Sequence, residues 1–214
     1  MKAGKQAGKK AGKQAGKKAG KQARRQKIGV RGRTVKNKQI AFITQTAVML
    51  ALLVCVQSIT RSFGQFATGS LVNLILLVSV FMIGLGGGLA VAVASPFLAF
   101  FAGIGPAFIQ VVPFVAAGNA IFVAVAHLSA KRVAKRSLRD VLLAASGLAA
   151  AGAAKTAFLW VGLVLAALPL IPGINENQAA AITAAFTWPQ LVTALIGGAL
   201  AMMVVPILKI VRKS

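Results

Sequence analysis

Residues Ser95–Pro113 read SPFLAFFAGIGPAFIQVVP, an uncharged stretch in which two apolar runs meet at a connection rich in glycine and proline. The apolar runs have the composition of membrane-spanning helices, and Gly103, Gly105 and Pro106 are typical of a tight turn between them. Irregular backbone is tolerated at membrane depth only where protein or a water-filled cavity covers it. The stretch therefore predicts a helical membrane protein and marks the first place to look for a ligand site.

The composition of the whole chain indicates the same class of protein. Hydrophobic residues make up 57% of the 214 residues, which is too apolar for a soluble domain. The only acids are Asp140 and Glu176, and the only histidine is His127. Paired-carboxylate catalysis is therefore excluded, and a metal site has almost no ligands available. We predict no catalytic residue, no metal site and no cofactor, and we do not expect an enzyme.

The first 39 residues form a separate, strongly basic region. Of the 25 Lys and Arg residues, 15 precede Ile40, and residues 2–23 repeat the unit Lys-Gln-Ala-Gly-Lys-Lys-Ala-Gly. Glycine at every fourth position disfavours helix by about 1 kcal/mol each relative to alanine, and nothing in the repeat can form a core. We therefore predict a disordered tail over residues 1–39 and a membrane domain over residues 40–214. Two partners fit such a tail, namely anionic lipid and nucleic acid.

Six apolar segments follow the tail, and the hydrocarbon core that they would cross is about 30 Å thick. The predicted fold is thus an all-α bundle of six transmembrane helices, with spans at residues 40–58, 70–84, 89–102, 114–130, 141–168 and 188–208. A polar connection at 60–69 would place Asn73 in the first turn of the second span. A glycine-rich turn at 84–88 would join the second and third spans. Thr187–Gln190 fits a capping box that begins the sixth.

The basic residues predict the orientation of this bundle. Six spans put both termini on one side, together with the basic loop at 131–140, and the positive-inside rule makes that side the cytoplasm. The opposite side carries only Arg61 and Glu176, and the loops at 60–69, 103–113 and 169–178 converge there. The predicted location is the cell membrane, as a multi-pass protein with both termini cytoplasmic.

Lys155 is the most costly residue of the predicted membrane domain. It lies about 21 Å along the fifth span, where a lysine costs about 2.5–3.5 kcal/mol on insertion scales. Glu176 is the only acid placed to pair with it. Two interpretations stay open: a lysine that reaches the membrane surface or bonds backbone carbonyls, and a cationic contact for an anionic group of a ligand. Small neighbours such as Gly152 and Gly162 favour the second, because they leave space beside the helix.

Other polar residues are weaker candidates for a ligand site. Arg61 is the only cation on its side of the bundle and could attract an anion. The remaining candidates are amides in or near the converging loops, together with the acid that follows one of them: Gln110, Asn119, Asn73, Asn175 and Glu176.

A family resemblance emerges from several of these features together. The six predicted spans, the Ala47-x-x-x-Ala51 face, and the series from Ser95-Pro96-Phe97 through Gly103-Ile-Gly105-Pro106 to Gly118-Asn119 resemble the substrate-binding S components of energy-coupling factor (ECF) vitamin transporters. The resemblance covers residues 40–210. It implies a bacterial membrane subunit that captures a water-soluble vitamin or related micronutrient from outside. It also implies that Ala47 and Ala51 dock on a transmembrane coupling subunit, and that two cytoplasmic ATPases power transport.

The residues themselves favour a binding subunit over a self-powered carrier. No Gly-Lys pair is followed by Ser or Thr, so the chain lacks a phosphate-binding loop for ATP hydrolysis. A proton or sodium route would normally use a membrane-embedded carboxylate, and none is predicted. The alternative from another class is a membrane-anchored scaffold whose basic tail recruits anionic lipid or nucleic acid.

Overall fold

The computed structural model describes residues 37–129, 132–133 and 137–211, and every regular element in these residues is a helix. The predicted disordered tail lies outside the described residues up to residue 36, as do most of the basic positions at 131–136. The helices are α1 (residues 37–60), α2 (Gly64–Met82), α3 (Leu85–Phe101), α4 (Val112–His127), α5 (Leu138–Phe158), α6 (Glu176–Phe186) and α7 (Trp188–Val211).

Short segments of other helical types connect or extend these helices. Three-residue 3₁₀ turns lie at Arg61–Phe63, Ile109–Val111 and Leu168–Leu170. Helix α5 continues without interruption as a π-helix over Leu159–Ala167. The short helix α6 immediately precedes the last long helix, α7.

The chain divides into two compact units at residue 44. Of the first unit, Met1–Thr44, only residues 37–44 are described, and they are helical and exposed. The second unit, Gln45–Ser214, contains the rest of α1 and all the other helices, and the account below concerns this unit.

Helix length and composition place the protein in the membrane class. Within the described residues, four helical stretches are long and apolar enough to cross a membrane: Asn37–Met82, Ile109–His127, Leu138–Leu170 and Glu176–Val211. The first of these contains both α1 and α2. Helix α3 is equally apolar but has only 17 residues, which corresponds to about 26 Å. The predicted all-helical membrane fold is thus confirmed at this level.

The turn between α2 and α3 is shorter than predicted. Only Gly84 makes the turn, with a positive φ of 105°, whereas Gly86–Gly88 already belong to α3. Of these glycines, Gly87 and Gly88 are buried and serve packing instead. A Cβ atom at Gly88 would lie 2.7 Å from Val80 Cβ and 2.9 Å from Val123 Cγ1, so its absence lets three helices approach closely.

Two other boundary predictions are also wrong. The predicted polar loop at 60–69 is mostly helical, because the chain turns within Arg61–Phe63 and Gly64, whose φ is 84°, begins α2. Asn73 therefore lies in the third turn of α2 rather than the first. The capping box falls not at Thr187 but at the start of α6, where the Asn175 side chain accepts from Gln178 N–H and the Gln178 side chain accepts from Asn175 N–H.

The apolar core is unevenly divided along the bundle. A large cluster fills the end nearest the α2–α3 turn, where α2, α3, α4, α5 and α7 contribute residues such as Leu77, Val91, Val123, Leu148 and Val205. We call this the packed end. The opposite end holds only a small buried cluster, Val111, Leu159 and Leu163, beside the α3–α4 loop and α6. We call this the cavity end, because it encloses the space described next.

Candidate ligand cavity

A cavity of about 430 Å³ occupies the cavity end of the second unit. This volume lies within the range of small-molecule sites, about 300–1,000 Å³. Its walls combine apolar and amide side chains from α1 to α7 and from the α3–α4 loop. The lining residues with polar side chains are Gln57, Gln65, Thr68, Asn73, Ser95, Asn119, Lys155, Gln178 and Gln190.

The order of lining residues along each helix defines the depth of the cavity. On α2 the lining residues extend from Gln65 to Asn73, and on α4 they extend from Val111, just before the helix begins, to Asn119. Each of these stretches covers about 12 Å along the helix axis. The antiparallel helix α3 contributes Ser95 at its deepest lining position, and α5 contributes only Lys155. We call Asn73, Ser95, Asn119 and Lys155 the polar floor. These side chains are 1%, 1%, 3% and 3% exposed, respectively.

Lys155 is the only cation in this floor and is held by neutral groups. Its Nζ donates a hydrogen bond of 2.8 Å to Asn73 Oδ1 and lies 5.4 Å from the centroid of the Phe122 ring. An ammonium group has three N–H donors, and the structure gives only one of them a partner among the described residues. The other two donors have no hydrogen-bond partner among the described residues.

Asn73 connects Lys155 to α7 through a chain of hydrogen bonds. Its Nδ2 donates to Thr193 Oγ1 at 3.2 Å, and Thr193 Oγ1 donates to the Gln190 carbonyl oxygen at 3.1 Å. These bonds require α2 and α7 to approach closely, and two glycines permit that approach. A Cβ atom at Gly197 would lie 2.7 Å from Asn73 Cβ, and a Cβ atom at Gly69 would lie 2.9 Å from Thr193 Cγ2. The close contact of α2 and α7 thus positions the amide that orients Lys155.

The predicted pairing of Lys155 with Glu176 is wrong. Glu176 is exposed in the first turn of α6 and does not line the cavity. An acid at that position interacts favourably with the helix N-terminus, which explains its place without a lysine partner. Within the described residues, Lys155 has no acidic partner, and no carboxylate lines the cavity.

Two amide oxygens in the cavity wall are buried without a hydrogen-bond partner in the described part of the chain. They are Asn119 Oδ1, in the floor, and Gln57 Oε1, near the end of α1. Buried polar atoms in folded proteins are nearly always paired, with protein, water or ligand. Both oxygens have almost no accessible surface, so they are unsatisfied acceptors within the protein wall and do not face the cavity.

Helix α6 covers the cavity on the side opposite the floor. It contributes Ala181, Ile182, Ala185 and Phe186 to the lining, although none of its residues is fully buried. Its last turn is fixed by two glutamines, since Gln190 Nε2 donates to the Ala185 carbonyl oxygen at 2.9 Å and Gln65 Nε2 donates to the same oxygen at 3.4 Å. The cover is thus attached by polar contacts at its last turn and by the packing of Ile182 and Phe186 against the small apolar cluster.

The structure brings together three of the seven predicted ligand-binding residues, namely Lys155, Asn73 and Asn119. The other four do not line the cavity. Arg61 is exposed and donates from Nη1 to the Gly103 carbonyl oxygen at 2.9 Å, which ties the α1–α2 turn to the α3–α4 loop. Gln110 is exposed in a 3₁₀ turn, and Asn175 caps α6. Glu176 is placed as described above.

The polar lining residues that were not predicted as site residues include Gln57, Gln65, Thr68, Ser95 and Gln190. Gln65, Gly69, Val72 and Asn73 follow the spacing of one helix face, which was a usable signal. It was missed because residues 60–69 were assigned to a loop, where helical spacing has no meaning. The predicted partner-interface residues Ala47 and Ala51 are exposed, one turn apart on α1 and outside the cavity lining.

No protein-family model, curated protein or solved structure matches this chain. The resemblance to ECF S components therefore stays a prediction made from sequence features.

Proposed function

We propose that this chain is the substrate-capture subunit of an ECF-type importer. In this proposal it binds a water-soluble vitamin or related micronutrient from outside the cell and delivers it with a transmembrane coupling subunit and two cytoplasmic ATPases. The observation that carries the proposal is the cavity whose floor holds a buried ammonium group with no acidic partner among the described residues.

The energetics of Lys155 support a binding role. A buried lysine in a membrane helix is costly, and one hydrogen bond to a neutral amide offsets only part of that cost. Residues that lower stability are characteristic of functional sites, where binding requires them. A side chain that served packing alone would be better replaced by leucine or methionine at this position.

The proposed topology follows from the basic residues. Helices α1, α2, α3, α4, α5 and α7 would each cross the membrane, with both termini in the cytoplasm. The cavity end would then face outward, since the α1–α2 turn and the α3–α4 loop lie there. The exposed Ala47 and Ala51 would be available for the coupling subunit, because small residues permit close helix approach.

Native mass spectrometry of the gently purified full-length protein tests this proposal. We expect a small water-soluble molecule to be retained by the wild-type protein and by Gln110→Ala, whose exposed side chain does not line the cavity. Lys155→Met should lose it. Repeatedly empty wild-type protein, or retention of lipid alone, would contradict a capture function.

A deletion of residues 2–36 separates the proposal from the scaffold alternative. Retention of the small molecule should survive the deletion if the helical bundle works alone. Loss of retention with unchanged folding would contradict the assignment of capture to the bundle.

A further inference from the structure

The cavity is bounded by two kinds of wall. Its sides are long helices, and most of these pack together through the large apolar cluster at the packed end, which fixes them. Its end farthest from the polar floor is formed by the α3–α4 loop, which contributes residues 104–108, and by α6, which contributes residues between 178 and 186. A molecule in solution therefore reaches the floor past one of these two segments, and their attachments differ.

The α3–α4 loop is fastened to the end of α3 by backbone contacts. The N–H groups of Ile104 and Gly105 both donate to the Ala99 carbonyl oxygen at 2.9 Å. A Cβ atom at Gly105 would lie 2.8 Å from the Phe100 backbone nitrogen, so the loop lies directly on α3. Arg61 adds the side-chain bond described above. The loop is therefore an extension of α3 and has little freedom to move away from it.

Helix α6 is attached in a different way. Among the described residues, no backbone hydrogen bond joins it to another long helix, and none of its own residues is buried. Two glutamines from different helices hold its last turn, since the Ala185 carbonyl oxygen accepts from Gln190 at 2.9 Å and from Gln65 at 3.4 Å. Only Thr187 separates α6 from α7, and before α6 the chain turns at Gly173, whose φ is 82°. Loss of these few contacts would release α6 without disturbing the packed end.

The apolar attachment of α6 is also limited. Ile182 and Phe186 pack against the small cluster of Val111, Leu159 and Leu163, but both side chains stay half-buried. The packed end buries many more side chains completely. Because local opening occurs where a protein has few buried apolar contacts, α6 should open far more often than the packed end unfolds.

We infer that molecules enter and leave the cavity beneath α6, which is its movable cover, and that Gln190 is the latch residue that holds the cover closed. Gln190 makes the shorter bond to Ala185 and is 7% exposed, so water competes little for this contact. Gln65, which is exposed, assists it. The inference rests on the proposed function in treating the cavity as a site that has to open.

A single thiol in the polar floor reports on access to the cavity. Cys55→Ser removes the only cysteine of the chain, and Ser95→Cys replaces one lining oxygen with sulfur at a position that is 1% exposed. In lipid nanodiscs, sulfonatoethyl methanethiosulfonate, which does not cross lipid, reaches this thiol only through water. The rate of modification of the full-length protein, followed by intact mass, therefore measures how often the floor opens to solution.

Two variants of this reporter protein loosen the cover by different chemistry. Gln190→Leu removes the donor to the Ala185 carbonyl oxygen, and Phe186→Ala removes part of the apolar contact. We expect modification to become at least about threefold faster in the first and at least about tenfold faster in the second. Gln110→Leu is the matched control, since it makes the same substitution at an exposed glutamine outside the cavity lining, and the rate should not change.

Two further measurements separate α6 from other routes. Arg61→Gln releases the α3–α4 loop instead of α6 and should leave the rate at Ser95→Cys unaltered. A thiol at the packed end, introduced by Ser79→Cys at a fully buried position, should stay unmodified in every variant. Faster modification in Arg61→Gln but not in Gln190→Leu would move the entrance to the loop and overturn the inference. Equal acceleration at both thiols, or a floor thiol that reacts in no variant, overturns it as well.

The outcome is separate from that of the capture test. Modification of the floor thiol needs no bound molecule, so a failed prediction here leaves the retention measured by native mass spectrometry, and hence capture, untouched. Conversely, protein that is always empty contradicts capture but not the route beneath α6.

Discussion

The two ends of the bundle use the same helices in opposite ways. At the packed end, α2, α3 and α4 are held close by glycines, and side chains such as Leu77, Val91 and Val123 are fully buried. At the cavity end the same three helices line a space of about 430 Å³, whose wall combines apolar side chains with several amides and one lysine. The comparison teaches that extensive apolar packing fixes the helices at one end, while the other end combines a small apolar cluster with individual polar contacts.

The largest expected effect comes from breaking the polar contact that holds Lys155. Asn73→Leu removes the acceptor at 2.8 Å from Lys155 Nζ and leaves the ammonium without a hydrogen-bond partner. We expect the free energy of unfolding in detergent to fall by about 3 kcal/mol, because the desolvated charge loses its compensation. Thermal or denaturant unfolding of the ligand-free protein measures this.

The double variant Asn73→Leu/Lys155→Met is the matched control for this change. It removes both members of the pair, so most of the lost stability should return, and the two substitutions should be strongly non-additive. Simple additivity would show that the Lys155–Asn73 contact does not set the stability of the cavity end.

The packed end should respond to volume rather than to polarity. Gly88→Ala would place a Cβ atom 2.7 Å from Val80 Cβ and 2.9 Å from the Val80 Cα of the backbone, so we expect the free energy of unfolding to fall by about 2 kcal/mol. Gly198→Ala adds the same methyl group at 3.5 Å from Leu148 Cβ, an ordinary contact. This control should be neutral or stabilising by up to about 1 kcal/mol. Equal effects of the two variants would argue against tight packing at Gly88.

The smallest expected effect concerns the surface contact between loops. Arg61→Gln removes the hydrogen bond to the Gly103 carbonyl oxygen, which is exposed and so stabilises the loop by about 0.5–1 kcal/mol. We expect amide hydrogen exchange at residues 103–108 to rise about two- to fivefold with global stability unchanged. Arg139→Gln removes an exposed cation that does not line the cavity and should leave the exchange at 103–108 unaltered. Unchanged exchange in Arg61→Gln would mean that the contact does not fasten the loop.

Much of the architecture was predictable from the sequence, because apolar length is a local property. Each of the six predicted spans corresponds to a helix of the structure, and the uncharged stretch from Ser95 to Pro113 contributes wall residues from Ser95 to Val111. Two of the three boundary errors lie at glycines. Gly64 and Gly84 turn the chain, whereas Gly87 and Gly88 pack inside a helix, and composition alone does not distinguish the two uses.

The site was predictable only in part, because its contacts join residues far apart in sequence. Lys155 could be singled out from the sequence alone, because the free energy of burying a lysine in a membrane helix is high whatever residues surround it. Its partner was assigned to Glu176 by charge, but the structure pairs it with Asn73, since α2 meets α5 and α7 at that depth. The packing of the helices likewise decides which side chains line the cavity, and it places Gln57, Gln65 and Gln190 in the wall.

The sequence by itself determined the membrane class, the helical fold and the presence of an expensive buried cation, all of which follow from the free energy of placing side chains in an apolar medium. The tertiary structure decided what surrounds that cation: a neutral amide from α2 and an aromatic ring from α4, at the floor of a cavity. The reason is that the transfer free energy of a side chain depends on that residue alone. Ligand binding depends instead on the distances between side chains that different helices bring together.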